Sequence, residues 1–313
     1  MKNNYLVALF YIGGEAQGSE IQLAIEGWRQ HFKEPFRLIV VGDDPKVEGV
    51  EWLEIERVPG KEGEYRPSLD ICNKLEEVCT FCEYHGYKHF IWASDDFFAV
   101  NDFTIEDVEY PKYLDDEMPI LGVMHPNWFE RTQVKTRLLC QKEGFGIKNW
   151  TTHLPMLFNV ANLHKIIRDY DLTNNGYIVE NIYFNAYPPK GEPFKLCLND
   201  RWKFSVIYQP LDREGFQNAL RNKIWVCCSV HGWSQTLDRE LRKHYGLPEL
   251  DDGGGDKKSG FVIIGKLPNA KCIPVSYTPS AQELTNMRVL FGMDYMTAEE
   301  MEAYEKSLDK DKG

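Results

Sequence analysis

The 313-residue chain predicts an α/β fold, a mixed and mostly parallel central sheet flanked by helices, followed by an aromatic-rich second half. Two observations carry that reading. Apolar runs of strand length alternate with amphipathic helical stretches through the first hundred residues, and short polar loops separate them. With 43% hydrophobic and 13% aromatic residues, the chain also has enough apolar surface to bury a substantial core.

Residues 5–12, 36–42 and 89–93 read as strands, and 19–32 and 67–84 as helices. Ser19 precedes Ile21, Leu23, Ile25 and Trp28, so its hydroxyl is expected to cap a helix whose apolar stripe faces the sheet. Ligands of open α/β sheets settle beyond the carboxyl ends of the strands. The loops 13–19, 42–45 and 94–102 should therefore converge on one edge.

From Tyr110 onward the alternation fades. Trp128, Trp150, Trp202, Trp225 and Trp233 mark an aromatic region, with antiparallel-looking strands near 204–208 and 224–230. Residues 251–260 are acidic, basic and glycine-rich, too polar to order themselves, and read as a flexible loop. The expected organisation is one domain over 1–250, with halves at 1–110 and 111–250, then that loop, then a 261–313 extension. In the extension 261–264 reads as a strand, and Thr297 and Glu300 form a capping-box start for a charged terminal helix.

Acidic residues number 48 against 36 basic, a formal charge of -12, which argues against nucleic acid or an anionic membrane as the main partner. The apolar run at 5–12 is too short to span a bilayer and no cleavage pattern follows it, so a cytoplasmic location is expected. Eight cysteines do not make a disulfide scaffold in a chain of this size. Cys72, Cys79 and Cys82 share one helix face, and Cys79-Thr80-Phe81-Cys82 lacks the second pair that a zinc site needs, so these thiols are expected in the core.

The chemistry concentrates at residues 89–103, where an apolar strand runs into Ser94-Asp95-Asp96 and then resumes as Phe97-Phe98-Ala99-Val100. Two carboxylates at a strand end suit Mg²⁺ or Mn²⁺ and leave positions open for phosphate oxygens. Asp-Asp also occurs where a strand simply ends in a solvated turn.

This stretch resembles the acidic motif of GT-A glycosyltransferases, often Asp-x-Asp or a variant, which follows an apolar strand and precedes a pair such as Asn101-Asp102-Phe103. The first strand and helix, Leu6 to Ile12 and Gln22 to Trp28, resemble that class's opening unit. The likeness covers about the first hundred residues, on pattern rather than identity. It implies a GT-A-like fold and a metal-dependent glycosyltransferase using a nucleotide sugar, with a UDP-sugar favoured and a carbohydrate or other hydroxyl-bearing acceptor, and it makes 1–250 the catalytic domain, with 1–110 its nucleotide-binding half and 111–250 its acceptor half. Ser94 stands where the motif's first Asp would be, which leaves open whether Asp95 or Asp96 ligates the metal.

The same resemblance implies a donor site at Tyr11, Gly13, Gly14, Arg66, Asp70, Ser94 and Asp95. It implies a late third metal ligand, for which His231 in Ser229-Val230-His231-Gly232-Trp233 is the candidate, Gly232 allowing close backbone approach. A lone histidine is also common as a satisfied core residue, and Arg66 and Asp70 also read as a helix start. Glu180, a charge among apolar neighbours, is the candidate base for an inverting transfer. It equally reads as the exposed face of a helix, with Asp200 and Asp212 as rivals.

His153-Leu154-Pro155 resembles, more weakly, the Stealth-type sugar-phosphate transferases, which attack phosphorus instead of the anomeric carbon. His153 also reads as a turn residue stacked over Pro155. The segment His125-Pro126-Asn127-Trp128 reads as a sugar platform or a packed loop. A non-catalytic carbohydrate-binding module on a transferase fold fits the aromatics too. A hydroxylated DNA base as acceptor would call for a basic groove, and the basic residues between Lys135 and Lys148 make no clear stripe. Residues 13–18 do not form Gly-x-Gly-x-x-Gly, and neither a P-loop nor a Gly-x-Ser-x-Gly elbow occurs, which weighs against dehydrogenase, P-loop and α/β-hydrolase chemistry.

Overall fold

A computed structural model of the protein describes residues 5–60, 65–120, 127–208 and 211–248, together with the backbone of three strands beyond them. The chain divides into two compact units, 1–248 and 249–313.

In the first unit the order is β1 (Tyr5–Tyr11), α1 (Glu20–His31), β2 (Phe36–Gly42), β3 (Glu51–Glu54), α2 (Arg66–His85), β4 (His89–Ser94), β5 (Phe97–Ala99), α3 (Ile105–Glu109) and β6 (Lys112–Tyr113). There follow α4 (Trp128–Lys142), β7 (Met156–Asn159), α5 (Val160–Asp169), α6 (Leu172–Asn175), α7 (Val179–Ala186), β8 (Phe194–Lys195), β9 (Lys203–Val206), α8 (Arg213–Asn222), β10 (Trp225–Cys228) and α9 (Gln235–Tyr245). The second unit contains β11 (Gly260–Ile264), β12 (Lys271–Val275) and β13 (Met293–Thr297), an antiparallel sheet with β11 at its centre. The polar run 251–259 and the capping-box helix expected after Thr297 lie outside the described residues, as do His125 and Pro126.

The central sheet has the order β3-β2-β1-β4-β7, parallel throughout except for β7, which runs antiparallel to β4. Its inner strands are buried on both faces, which is why Leu6 to Phe10 form an unbroken apolar run rather than an alternating one. Alternation still sorts their side chains. Val7, Leu9, Val40, Ile91 and Ala93 face a core built around Trp28, Phe32, Phe103 and Trp225. Leu6, Ala8, Phe10, Ile39, Val41, Phe90 and Trp92 face α2, where Cys72, Cys79 and Cys82 are all buried as the helix spacing predicts.

A second sheet, β5-β10-β9, extends from the acidic strand. The segments that look antiparallel in sequence are parallel neighbours here: β9 pairs parallel with β10, and the antiparallel partner of β10 is β5. The reason is the helical crossover α8 between them, a connection that parallel strands require.

One local expectation is also corrected. Ser19 holds the N-cap position of α1 but makes no capping hydrogen bond. Its hydroxyl donates instead to the Asp238 carboxylate on α9, tying the two helices together.

Candidate functional site

Three loops do meet beyond the carboxyl ends of β1, β2 and β4. The Gly13 N–H donates to the Asp43 carboxylate at 2.8 Å, joining the first loop to the second. The Asp95 N–H donates to the Phe10 carbonyl at 3.2 Å, joining the third to the end of β1. Tyr11 lies between them, its hydroxyl held above its ordinary pKa by burial and then by the Asp95 and Asp43 carboxylates.

Asp95 and Asp96 are half-buried in the turn between β4 and β5. The Asp96 carbonyl accepts from the Cys228 N–H at 3.0 Å, so β10 fixes the backbone of the pair. Ser94 donates its hydroxyl to Asp95 Oδ1 at 3.2 Å. Burial, then the neighbouring Asp96 charge, raises the Asp95 carboxyl to about 7. Burial raises Asp96 to about 6 against the opposing effects of Ser94, its own backbone and Lys203.

The sequence reading missed a third carboxylate, Glu20, only 5% exposed at the start of α1. Burial raises it to about 8, with further upward pushes from Asp95, Asp96 and Asp238, against a 2.5 Å hydrogen bond from the Gln17 N–H. Its position one residue past the loop was the available signal. The periodicity of α1 hid it, because Glu20 reads as an ordinary first-turn acid.

A divalent cation fits this arrangement by its donor chemistry. Asp96 Oδ1 is buried with no hydrogen-bond partner among the described residues, and the adjacent carboxylates repel one another. A hard cation satisfies both conditions. No three His, Cys, Asp or Glu side chains form a complete ligand cluster among the described residues. His231 stands exposed in the loop after β10 and does not complete a set with the pair. Bound Mg²⁺ commonly keeps waters and substrate phosphates beside one or two carboxylates, so the pair does not need a third protein ligand.

A cavity of about 210 Å³ opens beside the acidic turn. Ser94, Asp96, His153 and Glu180, four residues singled out from the sequence, line it together. Glu180 reaches it from the first turn of α7, and burial raises its carboxyl to about 7. His153 comes from the loop before β7 with a left-handed φ of 50°. Its ring is crowded by protein yet accessible from the cavity, and burial followed by the Lys203 charge lowers its pKa. Lys203, on β9, donates to the Thr152 carbonyl at 2.5 Å and is the cation nearest in effect to both His153 and Asp96. Nothing in its local sequence marked it. The aromatic mouth includes Tyr65 and Phe129, whose ring centroids are 6.1 Å apart.

Other candidates fall elsewhere. Asp70 is buried in an ion pair with Lys74 at 2.9 Å and accepts from the Val58 N–H at 3.1 Å, so it does not face the cavity. Arg66 is exposed and donates to the Val58 carbonyl at 3.0 Å. Asp200 accepts from the N–H groups of Cys197, Trp202 and Lys203, Asp212 caps α8, and neither rival of Glu180 lines the cavity. Gly13 and Gly14 are exposed at the sheet edge. Gly232 meets its expectation of close approach: a Cβ there would lie 2.0 Å from the Val206 carbonyl oxygen.

No family model matches the chain, and no curated protein matches it. Among solved structures, one similar to it is the crystal structure of a glycosyltransferase involved in the glycosylation of the major capsid of PBCV-1, at TM-score 0.35 and 10% identity, covering 78% of this chain and 100% of that one. A likeness at that level leaves the function to be argued from the residues.

Proposed function

We propose that the protein is a metal-dependent glycosyltransferase that takes a nucleotide-sugar donor, a UDP-sugar in first place, and a hydroxyl-bearing acceptor. The observation that carries this reading is the meeting of Asp96, Ser94, His153 and Glu180 on one cavity at the carboxyl end of a parallel sheet.

Asp95 and Asp96 would hold Mn²⁺ or Mg²⁺, which when bound supplies positive charge for a leaving diphosphate. The Lys203 ammonium adds a fixed positive charge on the same side. Glu180 is the base that takes the proton from the acceptor hydroxyl as the hydroxyl oxygen bonds to the anomeric carbon. A carboxyl raised to about 7 is matched to that task near neutral pH. Gly13, Gly14 and Tyr11 line the approach for the nucleotide at the end of β1, while Tyr65 and Phe129 offer apolar faces to the acceptor.

A second reading, a sugar-1-phosphate transferase, is favoured by one observation, the presence of His153 on the same cavity. The two chemistries release different nucleotides. Isothermal titration with UDP and UDP-sugars, with and without Mn²⁺, should give metal-dependent binding in the wild type and none in Asp96→Ala. Product analysis should then find UDP. Release of UMP would transfer the assignment to phosphorus chemistry, and binding without turnover of donor on an acceptor screen would leave a carbohydrate-binding module. Absence of any nucleotide binding would reject the UDP-sugar donor.

A further inference from the structure

A cavity of about 540 Å³ lies along the open edge of β7, away from the acidic turn. Hydrogen-bond parity defines its inner wall. The Val160 N–H donates to the Lys88 carbonyl at 3.0 Å, one step beyond the Asn159–His89 register pair. Alternate residues of an antiparallel pair bond across it, so Phe158 and Met156 turn their amide groups to β4, and Leu157 and Asn159 turn theirs outward. The Asn159 N–H bears this out by donating to the Tyr183 hydroxyl at 2.9 Å. Leu157 is left as the β7 residue that offers both N–H and C=O to the cavity it lines.

The remaining walls suit a polar molecule with apolar faces. Trp150 borders the space at 4% exposure, and its indole Nε1–H has no acceptor among the described residues. Tyr187 borders it from the end of α7, packed on Tyr183 at 5.7 Å. Asn159 and His89, 3.2 Å apart, supply hydrogen-bonding groups at the rim. Among the described residues the lining carries one carboxylate, Glu109, and two ammonium groups, the exposed Lys190 and Lys112, and the Lys112 ammonium donates to the Tyr110 carbonyl at 2.6 Å beneath the Trp202 ring.

We propose that this cavity is a second ligand site, one that takes a neutral N-acetylated sugar unit. The amide group pairs with the Leu157 N–H and C=O, the pyranose ring lies against Tyr187, and a hydroxyl oxygen accepts from the Trp150 indole N–H. An unpaired indole N–H and an open strand edge both gain partners this way, and leaving such groups buried and unpaired is costly. The volume is that of a small-molecule site. An extended peptide is the poorer fit, because strand addition needs several outward amide groups and β7 offers one complete residue, the Asn159 N–H being taken. The inference does not rest on the transferase reading.

The test is a titration of the full chain with the methyl glycosides of N-acetylglucosamine and of glucose, and with an acetylated dipeptide amide, followed by saturation-transfer NMR and tryptophan fluorescence. The N-acetylated glycoside should bind saturably, and the glucoside, lacking the amide, at least about tenfold more weakly. Tyr187→Ala and Trp150→Phe should each weaken binding at least about fivefold with the circular dichroism unchanged, whereas Asp96→Ala should leave it intact. Equal affinity for the two glycosides, tighter binding of the dipeptide, no saturable binding, or a loss confined to Asp96→Ala would each overturn the proposal.

Discussion

The Lys74 ammonium lies 2.9 Å from the Asp70 carboxylate, four residues earlier on α2, with the two side chains 2% and 1% exposed. The ammonium also donates to the Tyr11 carbonyl at 3.3 Å, so the pair holds the end of β1 from below while Asp70 anchors the Val58 N–H. Removing one partner strands the other charge in the interior. Asp70→Asn or Lys74→Met should each lower unfolding stability by about 3–5 kcal/mol, and the double replacement Asp70→Leu with Lys74→Met should recover a large part of it. Urea denaturation of the three variants measures this, and a double mutant no more stable than the singles would show that the two charges act independently.

The same pair shows where the sequence was legible. Apolar run lengths and helix spacing were enough to place β1, β2, β4 and both leading helices to within a residue or two, because burial on both faces of a parallel sheet leaves a strong pattern. The Asp95-Asp96 turn was visible for the same reason, as charge interrupting an apolar strand. What depends on distant chain segments was not. Asp70 resembles a ligand contact until Lys74 and Val58 are seen to use its oxygens. Lys203 and Glu20 join the acidic turn only through the pairing of β10 and the packing of α1. The orientation of β9 against β10 follows from an intervening helix, and no residue in either strand encodes it.

Gly232 supports the loop that carries His231 and Trp233. An added Cβ would meet the Val206 carbonyl oxygen at 2.0 Å and its carbon at 2.6 Å, both main-chain atoms with no rotamer to yield. Gly232→Ala should therefore destabilise the protein by about 1–3 kcal/mol and shift the loop. Chemical denaturation reads the first effect, and a changed Trp233 fluorescence reads the second. Wild-type stability in the variant would mean that the loop relaxes freely and plays no part in fixing β9 against β10.

Glu180 sets the expected pH profile. Its carboxyl is raised from an ordinary 4.5 to about 7 by burial, and a general base works only when deprotonated. Activity should rise with pH through about 7, and Glu180→Gln should lower kcat by about a hundredfold or more while KM changes little, removing that limb of the profile. A retained limb in the variant would assign it to another group. Unchanged kcat would eliminate Glu180 as the base and point to a mechanism that needs none.

Burial and mutual repulsion give the acidic turn a cost that a bound cation would relieve. Glu20, Asp95 and Asp96 have folded-state values of about 8, 7 and 6, all above the ordinary carboxylate range. In this situation the folded state holds protons that the unfolded state has released. Their contribution to stability is fully present below the unfolded values near pH 4 and is lost as pH rises through about 6 to 8. Exposed carboxylates such as Asp102 and Asp116, whose values are lowered by lysine partners, act in the opposite sense, so the turn is isolated by difference. Without metal, Asp96→Asn should melt a few degrees above the wild type near pH 8, with the gap shrinking toward pH 5 as the wild-type carboxyls protonate. Millimolar Mn²⁺ should raise the wild-type melting temperature at the upper pH and leave the variant unmoved. Scanning fluorimetry across that range tests both parts together, and a variant that melts lower than the wild type at every pH would show that favourable contacts of Asp96 outweigh its burial and its repulsion by Asp95.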